Sequence, residues 1–154
     1  MVYNEINKDL FSVGGDYALA HCISADFALG AGIATEFVKR YDMKMKLKIL
    51  RPKYVSEWEA HPNKENYGDM IVVKCNNTNI CNLITKEFYW KKPTIISLEK
   101  SLIKLKDWAI ENDINKIAMP KIGCGLDKLK WEDVSKLLKK VFNDTGIEIL
   151  VCYF

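Results

Sequence analysis

The stretch Met119-Pro120-Lys121-Ile122-Gly123-Cys124-Gly125-Leu126-Asp127 lies between two segments of different periodicity. Before it, Lys116-Ile117-Ala118-Met119 is a short apolar run of strand type. After it, Trp131, Val134, Leu138 and Val141 recur three and four apart, the buried stripe of a helix over Trp131–Phe142. Strand, glycine turn and helix together aim backbone N–H groups at one point, an arrangement that holds an anion. Gly123 and Gly125 let the chain turn sharply and approach a ligand with no Cβ in the way. Asp127 places a carboxylate at the mouth of the turn. The same residues also suit a tight strand-to-helix connection without a ligand, so taken alone they leave both readings open.

Upstream, Ile95, Leu98, Leu102, Leu105 and Ala109 predict a long helix to about Asn112, with Thr94 as its N-cap. Lys86 to Pro93 is a loop. Met70–Cys75 and Ile80–Thr85 read as strands joined by Asn76-Asn77-Thr78-Asn79, hairpin chemistry. Tyr54 to Asp69, polar and aromatic with Pro62 and Gly68, is expected to be a surface insertion or a lid. Met43–Arg51 is a lysine-rich amphipathic stretch ended by Pro52, and Ile33–Tyr41 has helical spacing. Tyr17–Ile23 is an apolar run suited to a strand buried on both faces. Val2–Ile6 is a short strand, Gly14-Gly15-Asp16 a turn, and Gly146 stops the last helix before a terminal strand, Ile147–Phe154. Alternating strands and helices in the second half predict a three-layer α/β fold, a mixed central β-sheet flanked by helices, as one domain over residues 1–154.

Bulk properties narrow the function. The 154 residues carry a net charge of +3, too small to make nucleic acid a bulk electrostatic partner. Five cysteines, at 22, 75, 81, 124 and 152, are irregularly spaced, with no CxxC or HxxxH pair and only two histidines, His21 and His61. That spacing speaks against a zinc site and against a disulfide framework, and no metal or cofactor is expected. The amino terminus lacks a signal-type apolar region and no apolar run reaches membrane-spanning length. The expectation is a cytoplasmic monomer with no membrane partner.

A second loop tips the balance toward a ligand. Ser24-Ala25-Asp26-Phe27-Ala28-Leu29-Gly30-Ala31-Gly32-Ile33-Ala34 also joins a buried strand to a helix start, where a parallel sheet opens a crevice. It is not a dinucleotide fingerprint, because Thr35 stands where the third glycine would be, and no GK[ST] follows to make a P-loop. Two such loops suggest a ligand with two phosphates held between them. His21-Cys22-Ile23-Ser24, Gly30-Ala31-Gly32-Ile33-Ala34, Leu83-Ile84-Thr85-Lys86, Lys92-Pro93-Thr94, Met119-Pro120 and Ile122-Gly123-Cys124-Gly125-Leu126-Asp127 occur in this order. Together they resemble a macrodomain of the subclass of the terminal ADP-ribose protein glycohydrolase and the DNA ADP-ribosyl glycohydrolase antitoxins. The resemblance runs from Asp9 to the final strand. The Asn-Ala-Ala-Asn segment of the commoner hydrolytic macrodomains is absent.

The resemblance implies an ADP-ribose cleft at the sheet's edge and hydrolysis of ADP-ribose from modified carboxylates or nucleobases. It implies that Lys86 and Asp127 are the catalytic pair, the amine attacking the opened distal ribose and the carboxylate moving protons. Such an amine must be neutral at some point, which burial or a nearby cation would favour. It implies that Asp9, with Leu10, meets the adenine. Ser24, Gly30, Ala31, Gly32, Ile33 and Ala34 would form one wall, and Pro120, Ile122, Gly123, Cys124, Gly125 and Leu126 the phosphate cradle. Lys8 stands where relatives have glycine, and Lys121 where an arginine is common. The implied partners are ADP-ribose and ADP-ribosylated protein or nucleic acid. A non-catalytic ADP-ribose reader and an ADP-ribose 1-phosphate phosphatase are the alternatives. Each residue also has a plainer reading. Lys86 could be a solvated strand end and Asp127 a helix cap. His21 suits a satisfied core position, and Cys124, with no histidine near it in sequence, suits packing under the loop. Asp26 faces the ribose or is a turn residue; Phe88, Tyr89 and Trp90 stack on a base or pack internally.

Overall fold

The computed structural model describes residues 1–124 and 127–154. In chain order the elements are β1 (Val2–Asn7), a short 3-10 turn (Leu10–Ser12), β2 (Ala18–Ser24), α1 (Ala34–Tyr41), α2 (Met43–Leu50) and α3 (Tyr54–Glu59). They continue with β3 (Asp69–Cys75), β4 (Thr78–Lys86), α4 (Ile95–Glu111), β5 (Lys116–Met119), α5 (Trp131–Phe142) and β6 (Glu148–Tyr153). The six strands form one sheet in the order β1-β6-β5-β2-β4-β3. All neighbours are parallel except β3, which runs antiparallel to β4. The mixed, helix-flanked sheet expected from the sequence is present.

Alternation along the central strands builds a core on each face. Leu19 and Ile23 of β2, with Ile80 and Ile84 of β4, join Phe37, Met43, Leu47, Tyr54 and Trp58 from α1–α3. Ala18 and Ala20 of β2, with Cys81 and Leu83 of β4, join Leu98, Leu102 and Leu105 of α4 and Val134 and Leu138 of α5. Thr94 and Ser97 form a reciprocal capping box at the start of α4, which satisfies two backbone donors that would otherwise be orphans. Asp42, at φ +53, separates α1 from α2 with a single left-handed residue. Among the described residues, no helix is long and apolar enough to cross a membrane.

Two local expectations change. The start of the 54–69 stretch is not a surface insertion or a lid: α3 buries Tyr54 to 3% and Trp58 to 1% exposure, one helical turn apart, under the sheet. Downstream, Trp58 packs on Tyr67, and Tyr67 stacks on His61. Gly68 then passes so close to α4 that a Cβ would lie 2.0 Å from the Ser97 carbonyl oxygen. The hairpin turn is also tighter than the four polar residues suggest. Thr78 already pairs with Cys75, so only Asn76 and Asn77 turn, Asn76 at φ +55.

Candidate active site

Three adjacent parallel strands, β4, β2 and β5, end at the same edge of the sheet, and the chain that leaves each one supplies part of the site. There a crevice of about 710 Å³ opens. Ser24, Gly30, Ala31, Gly32, Ile33 and Ala34 line it from the loop after β2. Pro120, Ile122, Gly123 and Cys124 line it from the loop after β5, and Lys86 from the end of β4. Asp127 completes the lining. Gly125 and Leu126, also assigned to this cradle, lie outside the described residues.

Lys86 and Asp127, 41 residues apart, meet here: Lys86 Nζ donates to Asp127 Oδ1 at 2.5 Å. Their side chains are 13% and 16% exposed, so neither is a solvated surface charge. Asp127 does not cap α5, whose N-cap position is Lys130 with no side-chain capping bond. The amine's partner is thus a carboxylate, not a cation, and a proton leaving the amine has an acceptor in hydrogen-bond contact.

The first loop is held by Asp26. Its Oδ1 accepts from Ser24 Oγ at 2.5 Å and Ala28 N at 3.2 Å, and its Oδ2 accepts from Tyr89 N at 3.2 Å. Ala25 N donates to the Lys86 carbonyl and Asp26 N to that of Glu87, at 2.9 and 3.2 Å. Asp26 is therefore the turn residue of its two readings, and it clasps the loop of Ser24 to the segment after Lys86. Phe27 and Leu29 sit at φ +54 and +43, a strained region for side chains of their size. Both are buried, Phe27 stacked on Tyr54 of α3, so packing holds the strain. Gly32, at φ +61, leads into α1, which starts with no side-chain cap. Among the described residues the backbone N–H groups of Ile33 and Ala34 have no acceptor, which leaves two donors at the crevice for an anion.

The second loop turns at Gly123, φ +74, and is closed by Leu129 N donating to the Gly123 carbonyl at 2.7 Å. A Cβ on Gly123 would lie 3.0 Å from Leu129 Cδ1. Cys124 is half-buried with Sγ 3.5 Å from the Ile122 carbonyl, and burial pushes its thiol up, as burial also does to Cys22. Neither thiol is the ready nucleophile that a cysteine between glycines suggests. His21 packs in the α1–α3 face core, stacked on Phe37 with Nε2 2.7 Å from Asn82 Oδ1. Burial lowers its pKa to about 4.

Asp9 and Leu10 are not in the main crevice. They line an adjoining cavity of about 520 Å³ that shares Gly32 and Ile33 with it. Asp9 Oδ1 accepts from Phe11 N at 3.0 Å, capping the 3-10 turn. The Leu10 side chain is 2% exposed and belongs to the core, so it offers a ligand only its backbone. Lys8 borders the same cavity. Tyr89 and Trp90, each 63% exposed, line the main crevice with Lys91 and Lys92. Phe88 and Trp90 stack at 4.7 Å with ring planes 1° apart. The sequence marked this aromatic cluster without assigning it to the site; the signal was its position directly after Lys86. Among the described residues no group of three His, Cys, Asp or Glu is placed to hold a metal ion.

A parallel sheet core, two glycine loops facing across its open edge and an adjoining cavity at the start of α1 define a macrodomain. The chain belongs to that family: the Macro domain family matches residues 20–138. It is 38% identical over 146 residues to the ADP-ribose glycohydrolase OARD1 of Homo sapiens, covering 95% of this chain and 88% of that protein. It is 28% identical over 132 residues to the DNA ADP-ribosyl glycohydrolase of Mycobacterium tuberculosis, covering 81% of this chain and 34% of that protein. Among solved structures, the macrodomain of Mycobacterium tuberculosis DarG superposes with a TM-score of 0.82 at 23% identity, covering 98% of this chain and 97% of that one.

Proposed function

We propose that this macrodomain hydrolyses the bond joining ADP-ribose to a modified carboxylate or nucleobase and releases ADP-ribose. The observation that carries the reading is the Lys86–Asp127 contact at 2.5 Å inside a crevice walled by two glycine loops. The names of the two curated relatives, an ADP-ribose glycohydrolase and a DNA ADP-ribosyl glycohydrolase, support the same reaction class. The pyrophosphate lies between the Gly30–Ala34 and Ile122–Gly123 backbones, where N–H groups balance its charge at no cost in reorganisation. The adenine extends into the cavity beside Asp9, and the distal ribose reaches Lys86. Asp127 takes a proton from the amine. The amine attacks C1 of the distal ribose as the bond from C1 to the modified carboxylate or base breaks, and Asp127 passes its proton to that departing group. The regenerated carboxylate then deprotonates a water that adds to C1, and the C1–N bond breaks to free ADP-ribose and the Lys86 amine. The five cysteines are free, which suits a reducing, cytoplasmic setting.

The test is a side-by-side assay of ester-linked ADP-ribosylated protein, ADP-ribosylated DNA and ADP-ribose 1-phosphate. Lys86→Ala is expected to lose turnover while binding free ADP-ribose, since the backbone cradle supplies most of the affinity. Lys86→Arg fails as well, because a guanidinium stays charged and forms no adduct. Full activity in Lys86→Ala would refute the lysine mechanism. Tight binding with no turnover of any substrate by the unaltered protein would make it a reader instead.

A further inference from the structure

Along α4, Ile96, Ile103 and Ile110 recur every seven residues and are 46%, 39% and 55% exposed. Seven residues fall about 20° short of two helical turns, so the three lie on one line about 21 Å long. The opposite side of the helix is the buried stripe of Leu98, Leu102, Leu105 and Ala109. The exposed line is flanked by charges in a fixed order: Glu99 and Lys106 on one side, Lys100 and Asp107 on the other. Among the described residues Lys100, Lys106 and Asp107 make no ion pair. Glu99 meets Lys140 of α5 at 2.9 Å, and that lysine is 74% exposed.

We propose that this face pairs with the same face of a second copy of the chain, α4 antiparallel to α4, about a two-fold axis beside Ile103. Such an axis, perpendicular to the helix and lying in the interface, keeps each flank opposite the same flank of the partner and reverses its order. Lys100 then faces the second copy's Asp107, and Glu99, while bound to Lys140, faces its Lys106. Ile96 meets Ile110, and Ile103 meets its own counterpart. Two opposite-charge contacts on each side therefore frame three apolar ones, with no like-charged pair between directly facing flank residues. A parallel arrangement would also match charges locally. It would, however, align the helix dipoles and crowd together the exposed Lys91 and Lys92 just before each α4. One helix face of this length buries roughly 300 Å² per copy, well under the ~800 Å² per partner of stable complexes, so the pairing is weak.

Sedimentation and ¹⁵N-edited NMR of the whole chain from about 20 μM to about 1 mM test this. The unaltered protein is expected to associate with concentration, with shifts centred on Ile96–Ile110. Ile103→Glu is expected to stay monomeric. Lys100→Asp and Asp107→Lys should each lose association by at least about tenfold, since each sets like charges face to face. An equimolar mixture of those two variants should associate again, because each chain supplies the charge its partner has lost. Ile103 and Asp107 are exposed and Lys100 is half-buried, and none of the three belongs to either core, so the variants keep the fold. A monomer throughout the range, charge variants that pair as well as the unaltered chain, or a mixture that stays monomeric would overturn the proposal.

Discussion

His21 gives the fold a measurable acid weakness. It lies three residues before Ser24 and stacks on Phe37 of α1, so it supports the first crevice loop from below. Asn82 Nδ2 donates to the Ile71 carbonyl, which leaves Asn82 Oδ1 to accept from His21 Nε2. The ring is therefore the neutral Nε2–H tautomer. A second proton would go onto Nδ1, a buried atom with no partner among the described residues. Burial accordingly lowers the pKa from 6.5 to about 4. The unfolded chain binds a proton more readily than the folded one between those values, so stability is full above pH 6.5 and falls as pH drops toward 4. At about 1.4 kcal/mol per pKa step the whole gap is worth about 3 kcal/mol, and roughly 1 kcal/mol of it is lost between about pH 7 and 5.5. Carboxylates titrate mostly below that interval, and comparison with a His21 variant cancels whatever the second histidine, His61, contributes. Urea unfolding of the unaltered protein and of His21→Gln at both pH values is the assay. The variant starts less stable but should lose about 1 kcal/mol less across the interval. Equal losses in the two proteins, or an imidazolium signal from His21 in NMR at pH 5.5, would refute the reasoning.

Other outcomes follow from single contacts. Gly123→Glu should abolish ADP-ribose binding in calorimetry, because its side chain would press on Leu129 and Leu98 beneath the loop and φ +74 strains any Cβ by about 1–2 kcal/mol, which displaces the cradle; retained binding would place the phosphates elsewhere. Asp9→Ala should weaken ADP-ribose by about 1.5–3 kcal/mol and ribose 5-phosphate far less, whereas equal losses would show that Asp9 serves only its 3-10 turn. Gly68→Ala should cost stability on the order of 3 kcal/mol or more in urea unfolding, since the new methyl would meet the Ser97 backbone and cannot be relieved by a rotamer.

What could be read in advance depended on distance along the chain. Both glycine loops, the Thr94 cap and the α4 stripe are written within a dozen residues, where periodicity and turn chemistry act directly. The pairing of β6 with β1 is not, because it joins segments over a hundred residues apart through backbone bonds that any apolar strand could make. Tyr54 and Trp58 were hidden because α3 is six residues long, too short for a period to emerge, and its surroundings are polar. The site divides the same way. Lys86 and Asp127 were nominated by their local motifs, while their contact needed the folded sheet. Asp26 looked like a turn residue and is one, but its bond to Tyr89 N crosses 63 positions and was invisible. The separation of Asp9 and Leu10 into a second cavity follows from the course of the chain after β1, which no local pattern records.

The single antiparallel strand has a practical consequence. β4 runs from the two-residue turn at Asn76-Asn77 to Lys86, and eight residue steps at about 3.3 Å put that turn roughly 26 Å from Lys86. The turn is exposed, polar and tied to the rest of the protein only through its own two strands. A fluorophore, an affinity handle or an inserted domain placed between Asn76 and Asn77 would point away from the crevice, leaving both glycine loops and the adjoining cavity open to substrate.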